Sequence, residues 1–256
     1  AYELLDTDET LQKEPSLQGL RPGLAGGIYY PGDESGDAFR FCLQLADHAR
    51  LNGVEFLYRV LVNRFNISRD EITSVSTGSG EFTADRYVLA AGSYSTLLAG
   101  TAGIRLPVRP VKGYSITVNM TSHGHGPVLP VIDESRHIAM VPLGTRLRVA
   151  GTAELAGYDR TIDPVRIESM INYIKAIYPE LITGTDPADI DKWSGLRPYA
   201  CDGVPFIGVT RHDNLFLNTG HGHLGWSMAA GSGKIAADII SDAGPEIDPA
   251  PYQLVR

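Results

Sequence analysis

The sequence predicts an α/β chain interrupted by an antiparallel, α+β-type unit, and three observations predict it. Residues 113–120, "GYSITVNM", alternate apolar and polar side chains, as one half-buried antiparallel strand does. Residues 163–177 read as a capped amphipathic helix, and residues 214–240 run strand, Gly-rich turn, helix. The chain of 256 residues can bury one large core or two smaller ones. Apolar content of 43% and charged content of 20% suit a globular protein, and no apolar run reaches bilayer length. The net charge of −8 leaves no basic stripe to neutralise phosphates, so a nucleic-acid partner is not expected. Neither cysteine, Cys42 nor Cys201, belongs to a CxxC pair, so no Cys-based metal or redox motif is present and a reducing, cytoplasmic setting follows.

Taken in order, the start "AYELLDTDETLQKEPSL" opens into helix-like sequence without an initiator Met, as in a piece of a longer chain. Residues 37–52 place Ala38, Cys42, Leu45 and Ala49 on one helical face, with Gly53 as the stop. Strands are expected at 54–58 ("VEFLY"), at 60–67 and at Tyr87–Ala91, ending at Gly92, with Ser93 set to cap the next helix. In the strand at 113–120, Tyr114, Ile116, Val118 and Met120 face one side and Ser115, Thr117 and Asn119 the other; "HIAMVP" and "RLRVAGTAE" continue a meander. Asp163 then caps a helix opened by Pro164, with Ile167, Met170, Ile171, Ile174 and Ile177 on one face and Pro179 beyond its end. An Asp202-Gly203 turn leads to the strand "NLFLNT" and a last helix whose face is Met228, Gly231, Ile235 and Ile239, with Gly231 permitting close packing. The expected division is an α/β part at 36–105 and 193–241, an antiparallel part at 1–35 and 106–192, and a tail at 242–256.

The stretch "GHGHLG" spells G-x-G-x-x-G across Gly220, Gly222 and Gly225. A dinucleotide fingerprint needs a complete βαβ unit of about 30 residues with an acidic residue about 20 positions on, and here no second parallel strand follows the helix. What remains is a strand–Gly-loop–helix junction, where backbone N–H groups and the macrodipole face whatever sits at the helix start. That junction reads either as a ligand loop or as a tight packing turn. Two His-x-His pairs, His123/His125 and His221/His223, raise a rival of another class, a metal-dependent hydrolase, although no HExxH or matching carboxylate accompanies them. An inert interaction domain is the third reading.

Five stretches in order, "YYPGDESGD", "VLAAGSYS", "PVKGYS", "WSGLRPYACDGVPFIG" and "LFLNTGHGHLGWSMAAGSGK", resemble the FAD-dependent D-amino acid dehydrogenases of the D-amino acid oxidase and glycine oxidase superfamily. The resemblance implies that 36–105 and 193–241 form an FAD-binding domain and the antiparallel part a substrate domain. It covers nearly the whole chain except the family's opening βαβ segment; "GLAGG" at 23–27 has other spacing, so tight FAD binding by these residues alone is not expected. It implies that Arg197 binds the substrate carboxylate, for which a guanidinium fork is suited. It further implies that Gly195, His221, Gly222, His223, Leu224, Gly225, Trp226 and Ser227 line the flavin, His223 also facing the substrate. Val62 would meet the adenine, and Ala91 with Gly92 would lie near the cofactor. Lys112, Gly113 and Tyr114 would approach the flavin edge, with Tyr114 and His137 as substrate contacts beside Ala139 and Met140. The implied chemistry is oxidation of a D-amino acid to an imino acid, by hydride transfer to flavin N5 without a protein general base, and hydrolysis to a 2-oxo acid and ammonia. The implied electron acceptor is a quinone, with a peripheral position at the inner face of a bacterial membrane. A glycine- or sarcosine-type amine oxidase is the alternative within the superfamily. Which D-amino acid is used, and the oligomeric state, are not legible.

Overall fold

The computed structural model describes residues 1–120, 126–183 and 185–255. In chain order the elements begin with β1 (Glu3–Leu5), α1 (Thr7–Lys13), β2 (Gly27–Tyr29) and α2 (Ala38–Leu51). Then come β3 (Val62–Ser68), β4 (Glu71–Thr77), β5 (Gly80–Phe82), β6 (Tyr87–Leu89) and α3 (Ser95–Thr101). The middle holds β7 (Val108–Asn119), β8 (Val131–Asp133), β9 (Ile138–Leu143), β10 (Arg146–Glu154), α4 (Pro164–Ile177) and α5 (Pro179–Ile182). The chain closes with β11 (Asp191–Ala200), β12 (Phe206–Val209), β13 (Leu215–Thr219) and α6 (Gly225–Ile240). This mixture of a parallel strand pair, antiparallel sheets and helices is the expected α/β with α+β class.

Two compact units emerge. The first comprises residues 1–46, 112–154 and 159–195, the second residues 47–111, 155–158 and 196–256. The tail at 242–256 falls in the second unit rather than standing apart, and α2 is divided between the two.

In the first unit an antiparallel sheet runs in the order β11-β7-β10-β9-β8. The alternation of β7 sets its register: Val118 lies opposite Leu147, and Ile116 opposite Val149. Tyr114, Ile116, Val118, Met140, Leu147 and Val149 form one buried cluster with Ile167, Met170, Ile174 and Ile177 of α4. Asp163 caps α4 as expected, its carboxylate accepting from the Val165 N–H at 2.8 Å. The opposite face of β7 is less open than its polar pattern suggests, because Ser115 is buried. The Arg148 guanidinium donates to the Ser115 hydroxyl at 3.2 Å and lies over the Trp193 ring. A bulge in β10 between Gly151 and Glu154 brings Glu154 opposite Lys112. Lys112 is buried there, donating to Asp159 at 3.1 Å and to the Thr161 carbonyl at 3.1 Å, with Glu154 at 3.5 Å. Hydrogen bonds from Thr161, through its side chain and backbone, and then from Lys112 hold the Asp159 carboxyl down at about 2. The chain also starts differently from its helical reading: β1 pairs with β2, and only after it does Asp6 open α1 in a capping box with Glu9.

In the second unit β6 pairs parallel with β13, and β12 pairs antiparallel on the other side of β13. Leu89, Leu215, Leu217 and Phe206 pack with Ala99, Leu106 and Val108 in its core. Residues 54–58, expected as a strand, form none. A strand needs a neighbouring ladder for its N–H and C=O groups, and no described segment pairs with this one. Helix α2 does form, and Gly53, at φ +87°, ends it as expected. Its apolar face stays open, however: α2 has no buried residue, Leu45 on that face is 52% exposed, and Phe39 beside it is 68% exposed. Ser93 does not cap α3, because a 3₁₀ turn over Gly92–Tyr94 intervenes and Tyr94 occupies the cap position. Nor does Gly231 serve close packing. Nothing lies within 4 Å of where its Cβ would stand, and α6 buries Ser232, Ile235, Ala236 and Asp238 instead.

Truncating α4 against the sheet separates packing from exposure. Ile174→Ala, at a fully buried position, is expected to cost about 2–5 kcal/mol. Phe39→Ala, on the uncovered face of α2, is expected to change stability by less than about 0.5 kcal/mol. Urea unfolding midpoints of the two variants check both values.

Candidate functional site: a strand end, a glycine turn and a helix start

Three segments of the second unit meet at the end of the parallel strand pair. Past β6, Gly92 turns the chain at φ +55°. The Thr219 hydroxyl at the end of β13 donates to the Gly92 carbonyl at 3.1 Å and accepts from the Ser95 hydroxyl at 3.0 Å. Ser93, freed from capping, donates to the Leu196 carbonyl at 3.1 Å and so ties this turn to the last residues of β11. Those residues lie along the Gly-rich turn: Gly222 N–H donates to the Pro198 carbonyl at 2.9 Å, and Tyr199 and His221 form an isolated antiparallel bridge. The turn requires glycine at two places. Gly220 sits at φ +87°, where a Cβ would also press on Phe206 and Val108 at 3.3 Å, and Gly222 sits at φ +56°.

The turn delivers the chain to the start of α6. Leu224 occupies its cap with no side-chain hydrogen bond, and no acidic residue stands in the first turn. The leading N–H groups of a helix have no acceptor within it, and the macrodipole adds about half a positive charge there. The end is therefore electropositive, with no acidic side chain in its first turn neutralising it. Arg197 lies two residues before Tyr199 on β11, so the two side chains leave the strand on one face. Tyr199 carries the clearest side-chain contact of the region: its hydroxyl meets His223 Nδ1 at 2.5 Å, and the two rings stack with centroids 5.7 Å apart. Sequence reasoning missed Tyr199, although its i+2 spacing from Arg197 on an extended strand was a usable signal.

The other expected site residues fall as follows. His221 turns its ring into α6, with Nε2 at 2.9 Å from the Ser232 hydroxyl, and burial lowers its pKa. Leu224 and Trp226 are each nearly half exposed, and Ser227 is exposed. Ala91 is partly buried at the end of β6. Val62 opens β3 opposite Thr77, in the hairpin sheet. Gly195, Tyr114 and His137 belong to the first unit. Gly195 lies under the Trp193 indole, whose ring stands 2.1 Å from a Cβ built there. Tyr114 is 1% exposed, and its hydroxyl donates to Glu154 at 2.6 Å. Its environment is sheet core. His137 is an exposed turn residue at φ +53° between β8 and β9. Of the two His-x-His pairs, His123/His125 lies outside the described residues. His221 and His223 do not share a strand face, because Gly222 between them is left-handed and their rings take different partners. Among the described residues no group of three or more His, Cys, Asp or Glu side chains could hold a metal ion.

The fold is that of a two-unit chain whose second unit carries a strand–glycine turn–helix junction. The chain belongs to the DAO family of FAD dependent oxidoreductases, which matches residues 1–239. It is 46% identical over 256 residues to a D-amino acid dehydrogenase of Granulibacter bethesdensis, covering 100% of this chain and 60% of that protein. A D-amino acid dehydrogenase of Vibrio vulnificus is 43% identical over 255 residues, again covering 100% of this chain and 60% of the relative. The chain therefore spans about three-fifths of the length of these relatives. Among solved structures, glycine oxidase from Geobacillus kaustophilus superposes with a TM-score of 0.88 at 26% identity, over 100% of this chain and 67% of that one. L-proline dehydrogenase from P. horikoshii, at 21% identity and a TM-score of 0.84 over 100% of this chain and 68% of its own, shares the fold. The family read from the five sequence stretches is thereby borne out.

The lowered His221 pKa fixes a sign for pH. The folded state keeps the ring neutral while the unfolded chain protonates it near about 6.5, so stability is fully present above that pH and falls as pH drops below it. His221→Gln retains a side chain able to bond Ser232 but cannot titrate. Its melting temperature is expected to fall less steeply than wild type between about pH 7 and 5, as thermal unfolding across a pH series measures.

Proposed function

We propose that this chain belongs to an enzyme that uses FAD to oxidise a D-amino acid to its imino acid, which water converts to a 2-oxo acid and ammonia. The single observation that carries the reading is the strap between the Pro198 carbonyl and the Gly222 N–H, which sets Arg197 and the start of α6 in one neighbourhood. The residues fit the flavin on their donor chemistry: an uncapped helix start with no acidic residue in its first turn is electrostatically matched to an electron-rich ring edge. When bound, FAD supplies the acceptor for the two electrons that leave the substrate with its Cα hydrogen.

In this reading the Arg197 guanidinium takes the substrate carboxylate through two parallel hydrogen bonds, fixing the orientation of Cα. The start of α6, Gly225 to Ser227, would hold the flavin, and the positive end of its macrodipole would favour electron-rich cofactor atoms. Gly222 and Gly225 allow the backbone to approach a flat ligand closely. His221, bonded to Ser232, holds the turn against α6. Ala91, Gly92, Val62 and Gly195 are assigned to the remainder of the cofactor and His137 to the substrate; Tyr114, whose hydroxyl donates to Glu154, drops out of the substrate contacts. The relatives at 43–46% identity bear the name dehydrogenase, which favours an acceptor other than oxygen, and a membrane quinone is the class proposed. Among the described residues no helix is long and apolar enough to cross a membrane.

Steady-state oxidation of a D-amino acid panel and of glycine, with added FAD and an artificial electron acceptor, tests the reading. Arg197→Lys keeps the charge and loses the fork, and is expected to raise KM roughly 10- to 100-fold, the worth of a charge-assisted hydrogen bond. An unchanged KM removes Arg197 from the site, and a preference for glycine over every D-amino acid replaces the substrate class.

A further inference from the structure

We infer that Tyr199 is a positioning residue for His223: its hydroxyl donates to His223 Nδ1, which puts the imidazole proton on Nε2 and presents that N–H as a second donor for the carboxylate held by Arg197. The assignment rests on the function proposed above. Its basis is that Tyr199 engages three successive residues of the glycine turn. Its backbone bridges to His221, its ring lies 3.5 Å from the position of a Cβ on Gly222, and its hydroxyl reaches His223 Nδ1 at 2.5 Å.

The direction of that hydrogen bond follows from the inventory of the two groups. A neutral imidazole offers one N–H and one basic lone pair, whereas a phenol offers an O–H and weakly basic oxygen lone pairs. The phenol O–H to imidazole nitrogen pairing joins the better donor to the better acceptor. Once Nδ1 is used as the acceptor, the tautomer is fixed with the proton on Nε2. Ring stacking at an interplanar angle of 19° holds the imidazole plane as well as its tautomer. Because residues 197 and 199 leave β11 on the same face, the imidazole that Tyr199 holds belongs to the face from which Arg197 departs. A carboxylate has about four lone-pair sites, so it accepts both Arg197 donors and one more.

Long-range proton–nitrogen NMR of the imidazole reads the tautomer directly, with or without activity. The spectra are recorded at a pH that leaves imidazole neutral, and the expected proton position is Nε2, giving way to mixed tautomers in Tyr199→Phe, which keeps the ring and its contact with Gly222. The same substitution is expected to raise KM for a D-amino acid about two- to tenfold while kcat changes less than about twofold. A wild-type His223 protonated on Nδ1 overturns the assignment, and so does a tautomer that Tyr199→Phe leaves unchanged. An unchanged KM beside the expected tautomer overturns the carboxylate contact. Should the wild-type protein oxidise no D-amino acid at all, the functional reading fails, while the tautomer still decides the pairing of Tyr199 with His223.

Discussion

One backbone hydrogen bond sets the geometry on which the rest of the account depends: Gly222 N–H to the Pro198 carbonyl, 2.9 Å long. It joins a strand end to a glycine turn, and so a side chain suited to carboxylates to a helix start suited to an electron-rich ring. Beyond that bond the left-handed Gly222, at φ +56°, redirects the chain toward α6. Side-chain bonds around it make the arrangement rigid. Thr219 and Ser95 fasten the β13 end to Gly92, Ser93 fastens the same turn to Leu196, and Tyr158 donates to the Ser93 carbonyl at 3.1 Å. A site held by short polar residues on strand ends is more exactly placed than one held by a free loop.

The first unit spends its polar groups differently. Lys112, Glu154, Asp159, Thr161 and the Tyr114 hydroxyl satisfy one another around the bulge of β10. A buried ammonium is costly unless it is paired and hydrogen-bonded, and here the Tyr114 hydroxyl and then the Asp159 and Glu154 carboxylates, against the opposing cost of burial, hold it above its ordinary pKa. The donors of Lys112 and Tyr114 are thus engaged within the sheet.

What the sequence made legible was whatever carries a period or a local cap. The alternation of β7, the apolar face of α4 with its Asp163 cap, and the order β13, glycine turn, α6 were all readable, because each burial pattern repeats within one element. Features that depend on a distant partner were not. Residues 54–58 have strand composition but no described ladder, and α2 has an amphipathic pattern yet buries none of its residues. Ser93 looked like a cap because Ser residues usually serve so; its hydroxyl goes instead to Leu196, a partner 103 positions away. Buried Ser115 was hidden for the same reason, since its cover comes from Arg148 and Trp193. At the site, the glycines and Arg197 were visible as a motif. Tyr199 was not, because its role is a contact with His223 across 24 positions.

The central claim is that Arg197 and the start of α6 grip one ligand pair: the carboxylate of the substrate and the electron-rich ring of the cofactor. A crystal structure of the FAD-loaded protein with D-lactate, which has a carboxylate and no amine, tests it most directly. The account predicts the lactate carboxylate in bidentate contact with the Arg197 guanidinium at about 2.7–2.9 Å, and the flavin ring edge facing the N–H groups of Gly225–Ser227. A carboxylate held by other side chains, or a flavin remote from the start of α6, would contradict it.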